Sequence, residues 1–188
     1  IVAGAGEFWK TLARGVEAAA AKYGGEDFAM AFGGNEMPGY HTGPASHVGY
    51  SVGARHSHLD NGGYSVDQKI LTKKELSPEE LARHLVEDES WRQVLSGLVV
   101  CFFARKIYDE ETALAALAQT GVELDAAGLR AVGREVHREK FRFKLREGFD
   151  FSKLRLPKRI FETAAPAGPL TEDYVRKTIA AVAEELRH

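Results

Sequence analysis

Apolar residues recur at helical spacing along most of this chain, and the exception is a middle stretch rich in glycine and histidine. From Glu7 to Tyr23, Phe8, Leu12, Val16, Ala19 and Ala20 are interleaved with Lys10, Arg14, Glu17 and Lys22. That pattern predicts one amphipathic helix, stopped by Gly24 and Gly25. Phe28 to Phe32 is too short for periodicity to separate strand from helix, and the glycines between Gly33 and Gly63 predict loops and short elements. Ser77 to Glu80 is a strong helix start, with Ser77 as N-cap, Pro78 at the first helical position and Glu80 placed to close a capping box. Trp91 to Ala104 is mostly apolar, which predicts burial on most sides. Glu110 to Gln119, Ala126 to Glu147 and Glu172 to Arg187 read as three more helices, started by Asp109, Asp125 and Thr171. Pro157, Pro166 and Pro169 confine the stretch before the last helix to an irregular crossing.

These elements predict a mainly α fold of two packed helical layers, with at most one or two short strands near Phe28 to Phe32. The division is a helix plus a Gly/His-rich site-bearing segment over 1–75 and a helical bundle over 76–188, forming one compact unit. The stripe Leu129, Val132, Val136 and Phe143 makes the 126–147 helix the expected spine, with His137 beside it as a structural histidine. Trp9 and Trp91 are expected core or interface anchors, and His84 and His188 are expected to be solvated.

Composition narrows the function classes. With 188 residues, 44% of them hydrophobic, the chain can bury one sizeable core or two small ones. A net charge of −2 with both signs interleaved provides no long-range field for nucleic acid or anionic lipid, so neither is an expected partner. No apolar run approaches the ~20 residues that span a bilayer. A single cysteine excludes an intrachain disulfide, which fits a cytoplasmic setting. The start at Ile1 has neither Met nor a basic leader, which raises the expectation of a fragment.

Two segments carry candidate chemistry. His41, His47, His56 and His58 lie in the glycine-rich middle, and Cys101 ends the apolar run from Leu98. In an extended backbone His56, His58 and Asp60 would face one way, a donor set suited to zinc, as in the His-x-His-x-Asp-His motif of metallo-β-lactamase-type hydrolases. The closing histidine of that motif is Asn61 here. The alternative is that these histidines hydrogen-bond within a polar loop. Cys101, read from its neighbours alone, is an inert core thiol.

Taken in order, a wider set of segments resembles the C-terminal part of the aldehyde ferredoxin oxidoreductase family. Asn35-Glu36-Met37-Pro38 follows a helix and Phe28, as the family's Glu-Leu/Met-Pro element does. Arg55 before His58-Leu59 is similar to the family's Arg-x-x-x-His-Leu element, and Ser96-Gly97-Leu98-Val99-Val100-Cys101 to its Asp-Ser-Leu-x-x-Cys signature. Leu145-Arg146-Glu147-Gly148-Phe149 and Leu156-Pro157-Lys158-Arg159-Ile160-Phe161 match its ending in order and spacing.

The resemblance implies an oxidoreductase that converts an aldehyde to a carboxylic acid at a tungsten or molybdenum bis-pterin and passes electrons through a [4Fe-4S] cluster to ferredoxin. It implies Cys101 as a cluster ligand, His58 as the acid/base or substrate-orienting group, and Arg55, Asp60, Ser96 and Val100 as pterin contacts. The chain departs from the pattern at Ser96, where the family has an acidic residue, and at Asp60, where it has a basic one. Arg55 is also one residue closer to His58, and His41-Thr42-Gly43 replaces Asp-Pro-Arg.

One thiolate cannot hold a cubane that takes four. The expected partner is therefore a missing N-terminal pterin-binding domain or subunit, alongside ferredoxin and a small aldehyde, with the isolated chain inactive and binding no cofactor alone. A stand-alone helical binding module or split subunit that docks on a pterin-bearing partner is the competing class, and the oligomeric state is open. An exposed apolar face with unpaired polar groups is expected around Tyr40 to Tyr64.

Overall fold

A computed structural model describes residues 6–187; Ile1 and His188 lie outside the described residues. The fold is mainly α, with one two-stranded sheet among the described residues. The chain opens with α1 (Glu7–Leu12) and α2 (Val16–Tyr23), then the hairpin β1 (Ala31–Phe32) and β2 (Asn35–Glu36). The single opening helix predicted from periodicity is broken, because Gly15 takes φ 98° and turns the chain between the two pieces. Trp9 is half exposed and meets Phe8 edge-on at 5.2 Å, so it does not anchor a core within this chain.

The glycine-rich middle holds more helix than its composition predicts. α3 (Pro44–Val52) is buried along its whole length, followed by α4 (His58–Asn61), α5 (Gly63–Val66) and a π turn at Asp67–Leu71. Small residues on α3 and α5 let the backbones approach: a Cβ at Gly63 would collide with the Ala45 carbonyl.

The second half follows its local start signals. α6 (Pro78–Gly97) begins with the Ser77/Glu80 capping box, and α7 (Glu110–Ala118), α8 (Ala126–Arg146) and α10 (Glu172–Glu185) are capped by Asp109, Asp125 and Thr171. Between the last two lies the short α9 (Arg159–Glu162).

The spine is α6 rather than α8. Its first half packs with α3 and α10 around Val48, Val52, Leu81, Leu85, Val175 and Val182; its second half packs with α7 and α8 around Val94, Ala113 and Leu129. The larger core thus draws on both sides of the 75/76 division. On α8 the buried stripe is Leu129, Gly133, His137 and Phe141, while Val132, Val136 and Phe143 face outward. Gly133 decides the choice, because a Cβ there would sit 2.5 Å from the Ser90 carbonyl, so α8 crosses α6 on its smallest residue. A third cluster of Phe32, Tyr50 and Ile160 seats the hairpin. Arg155 pins it further, donating to the Ala29 and Ala31 carbonyls at 2.8 and 3.2 Å and pairing with Glu17. No helix among the described residues is long and apolar enough to cross a membrane.

Candidate functional site

The histidine segment is organised by buried carboxylates. Asp67 accepts from the Ala45 and Ser46 N–H groups at 2.9 Å each and from the Thr42 hydroxyl at 2.8 Å, so it caps α3 from 22 residues away. Burial pushes its carboxyl up against the pull of those bonds. Glu89 on α6, also buried, accepts from the Ala54 N–H at 2.8 Å and from the Asn61 amide at 3.2 Å.

His41 and His47 form a chain whose tautomers follow from its end. The Thr163 carbonyl accepts from His41 Nε2–H at 3.0 Å, so His41 Nδ1 accepts from His47 Nε2–H at 2.9 Å. His47 Nδ1 is then a bare, buried nitrogen without a hydrogen-bond partner among the described residues. Burial, with His41 beside it, pushes the His47 pKa down to about 3. His137 is a structural histidine as expected: Nδ1 meets Ser90 Oγ at 3.1 Å, and Nε2 lies 3.4 Å from Glu89, close enough for attraction but off a hydrogen-bond axis.

The alternation of His56, His58 and Asp60 that suggested zinc is absent. The chain turns helical at His58, with Ser57 as N-cap and Asp60 closing the capping box, so the three side chains diverge. Asp60 is fully buried and already engaged, accepting from the Arg55 N–H, Arg55 Nε and the Ser57 N–H at 2.8 to 3.0 Å. His56, at φ 55°, donates from Nδ1 to the Tyr50 carbonyl at 2.9 Å and accepts at Nε2 from Lys144 Nζ at 3.1 Å. Lys144 also donates to the Gly53 carbonyl and sits 4.0 Å from the Phe149 ring centroid. Burial draws its pKa down to about 8, partly offset by Glu89 and Asp60. No group of three or more metal-ligating side chains assembles among the described residues.

His58 differs from its neighbours. It is half buried beside a stacked pair of rings, 5.4 Å from Tyr40 and 6.3 Å from Tyr64, and it makes no hydrogen bond to the chain among the described residues. Burial and then the Arg92 charge hold its pKa below the ordinary histidine value, with Asp60 opposing. Among the described residues, His58 is the one histidine of the four in this segment with both ring nitrogens available.

The cysteine segment follows α6. The helix ends in a Schellman motif: the Val99 N–H donates to the Ser96 carbonyl and the Val100 N–H to the Leu95 carbonyl, at 3.1 and 2.9 Å. The same motif closes α7 and α8 through Gly121 and Gly148, but here the left-handed position is Val99, at φ 58°. A β-branched residue there is strained. Cys101 is exposed, which corrects the inert core thiol; the predicted burial of 91–104 holds for 92–95 and fails from Ser96 onward, where the chain leaves the helix end for the surface. Val99, Phe103 and Ile107 around it are 90%, 97% and 69% exposed. The apolar face expected around Tyr40 to Tyr64 is not found there, since that stretch is largely packed; exposed apolar side chains lie instead on this loop.

The residues foreseen from sequence fall into two groups, with Arg55, His58 and Asp60 at α4 and Ser96, Val100 and Cys101 at the end of α6. Ser96 is exposed, and the N–H of Val100 is spent in the helix cap. Arg92, which local pattern gave no reason to single out, lies between the groups. Its Nη1 donates to the Leu59 carbonyl at 2.9 Å, its Nε lies 2.6 Å from Asp88 Oδ2, and its guanidinium carbon is 5.5 Å from the Phe102 ring centroid.

A family model described as aldehyde ferredoxin oxidoreductase, domains 2 and 3, matches residues 1–187. The chain belongs to this family. No curated protein and no solved structure matches. The mainly α fold is that expected of the aldehyde ferredoxin oxidoreductase C-terminal domains, and membership places the chain among oxidoreductases. The family's ending also acquires a physical meaning here. Gly148 closes α8 and lets Phe149 pack over Lys144 and against His56, while Ile160 completes the cluster under the hairpin.

Proposed function

We propose that this chain is the helical part of a tungsten or molybdenum bis-pterin oxidoreductase that oxidises an aldehyde to a carboxylic acid and delivers electrons to ferredoxin. The observation that carries this reading is the presence, in a chain of this family, of an available imidazole at His58 and an exposed thiol at Cys101. The donor set fits one corner of a cubane: Cys101 is accessible, and a cluster takes four thiolates, so the others come from a pterin-bearing domain or subunit. The pterin-bound metal and the cluster supply the redox chemistry when bound.

The chain's own residues have narrower roles. His58, held largely neutral near pH 7, accepts a proton beside the substrate carbonyl and releases it to solvent. Arg55 presents its outer guanidinium nitrogens to an anionic or carbonyl group of the pterin, with Asp60 fixing its orientation from below. The Ser96 hydroxyl and the Val100 carbonyl offer hydrogen bonds at the mouth of the cysteine loop.

A second reading is favoured by the packed histidine segment: the chain folds by itself and docks, through the apolar loop around Phe103, on a pterin-bearing partner as a separate subunit or binding module.

Both readings are tested by combining the chain anaerobically with the N-terminal pterin-binding part, the pterin cofactor, tungstate or molybdate, iron and sulfide. Aldehyde-dependent dye reduction is expected. Cys101→Ser should abolish the cluster absorbance, and His58→Gln should lower turnover by about 100-fold with the cluster intact. Failure to incorporate pterin, metal or cluster, with no dye reduction, would overturn the proposal. Activity recovered from two separately folded chains would favour the subunit reading.

A further inference from the structure

We infer that Arg92 is a positioning residue that locks the His58 turn to the Cys101 loop, so that the proton-handling and electron-handling ends of the site form one rigid unit. The inference rests on the reading above for what the two ends do, but its geometric content is independent of any cofactor.

Arg92 has an 8% exposed side chain in the second half of α6, where a solvated arginine would cost little and a buried one needs a reason. Each part of its planar head is used. Nη1 donates to the carbonyl of Leu59, the residue after His58; Nε lies 2.6 Å from Asp88 Oδ2; and the guanidinium carbon lies 5.5 Å from the ring centroid of Phe102, the residue after Cys101. The Nη2 corner fills the space over Gly62, where a Cβ would collide with it, so the turn that ends α4 is shaped around this guanidinium. The backbone of Phe102 is held in turn by Arg105, whose Nη1 donates to the Phe102 carbonyl at 2.6 Å.

A lysine reaching the same place would carry the charge but lacks the planar fork that lies against a carbonyl, a carboxylate and a ring at once. The charged groups that face His58 are Arg92 from α6 and Asp60 from its own turn, with the rings of Tyr40 and Tyr64 completing its surroundings. Arg92 therefore acts on His58 through its charge and on the cysteine loop through its shape.

The chain itself, with no pterin, metal or aldehyde, provides the test. Cys101 is the single cysteine, so a trifluoromethyl thiol tag reports order in its loop by fluorine NMR, while the His58 ring protons report its titration midpoint. In Arg92→Met the midpoint should rise by about half a pH unit, as a neighbouring positive charge is lost, and the tag signal should narrow as the loop loosens. Arg92→Lys should restore the midpoint but not the order of the tag. Phe102→Leu should loosen the tag and leave the midpoint in place.

A folded Arg92→Met variant with both signals unchanged would overturn the inference. Should that variant fail to fold, an undisturbed tag in both Arg92→Lys and Phe102→Leu would overturn it equally. Because no turnover is read, failure here leaves the oxidoreductase reading standing, and failure of that reading leaves this coupling standing.

Discussion

Between His41 and Asp67 the inward-turned polar groups hold one another, whereas between Val99 and Tyr108 the apolar side chains of Val99, Phe103 and Ile107 face outward. Both segments carry candidate site residues, yet one is assembled within the chain and the other is open. The histidine segment packs Val48, Tyr50 and Val52 into the core, and its buried polar side chains are held by hydrogen bonds in a low-dielectric interior, where each missing partner is costly. The cysteine loop has the apolar residues for a core but leaves them in solvent, and it begins with a strained valine. The difference shows that a glycine-rich, polar sequence can be the rigid part of a site and an apolar sequence its exposed part.

The sharpest way to break this contrast is to remove the carboxylate that organises the first segment. Asp67→Ala strips the caps from the Ala45 and Ser46 amides inside a dry core, and should cost about 3 kcal/mol in denaturant unfolding. A loss below about 0.5 kcal/mol would mean that α3 does not depend on its remote cap.

Acid should weaken the same segment. The His47 pKa is lowered to about 3, below its unfolded value, so its contribution is complete above roughly pH 6.5 and is lost as pH falls towards 3, where the unfolded chain binds a proton that the native state refuses. The expected loss is on the order of a few kcal/mol across that window. Its ring signals should stay at their neutral positions until the chain unfolds; a His47 midpoint near 6 in the folded state would contradict the bare buried nitrogen.

On the open side the effects are smaller and can reverse in sign. Val99→Gly replaces a β-branched residue at φ 58° with the residue that the corresponding caps of α7 and α8 use, and should raise stability by about 1 kcal/mol. Destabilisation instead would show that the Val99 side chain has a packing role. Phe103→Ser should change stability by less than about 0.5 kcal/mol while raising solubility. A loss of about 2 kcal/mol would show that the loop folds onto the body in solution and would erase the contrast.

What could be read from sequence has a clear boundary. The starts of α6, α7, α8 and α10 were legible because each N-cap side chain bonds a backbone amide three residues ahead, as Ser77 does with Glu80. The family was legible from segments that lie in the right order, although their physical work, such as the Gly148 cap or the Ile160 contact, shows only in the folded chain. The candidate residues His58 and Cys101 could be named, but not their surroundings.

The sequence by itself therefore determined the helical class, the main helix starts and the family, because these depend on neighbours within a turn or on motif order. Tertiary structure alone decided that Asp67 caps α3, that Gly133 rather than Val132 faces α6, that Asp60 is consumed by Arg55, and that Cys101 is open to solvent. Those outcomes depend on which backbones approach closely enough to exclude a side chain or to share a buried carboxylate. Such approaches join residues far apart in sequence, and no local pattern encodes them.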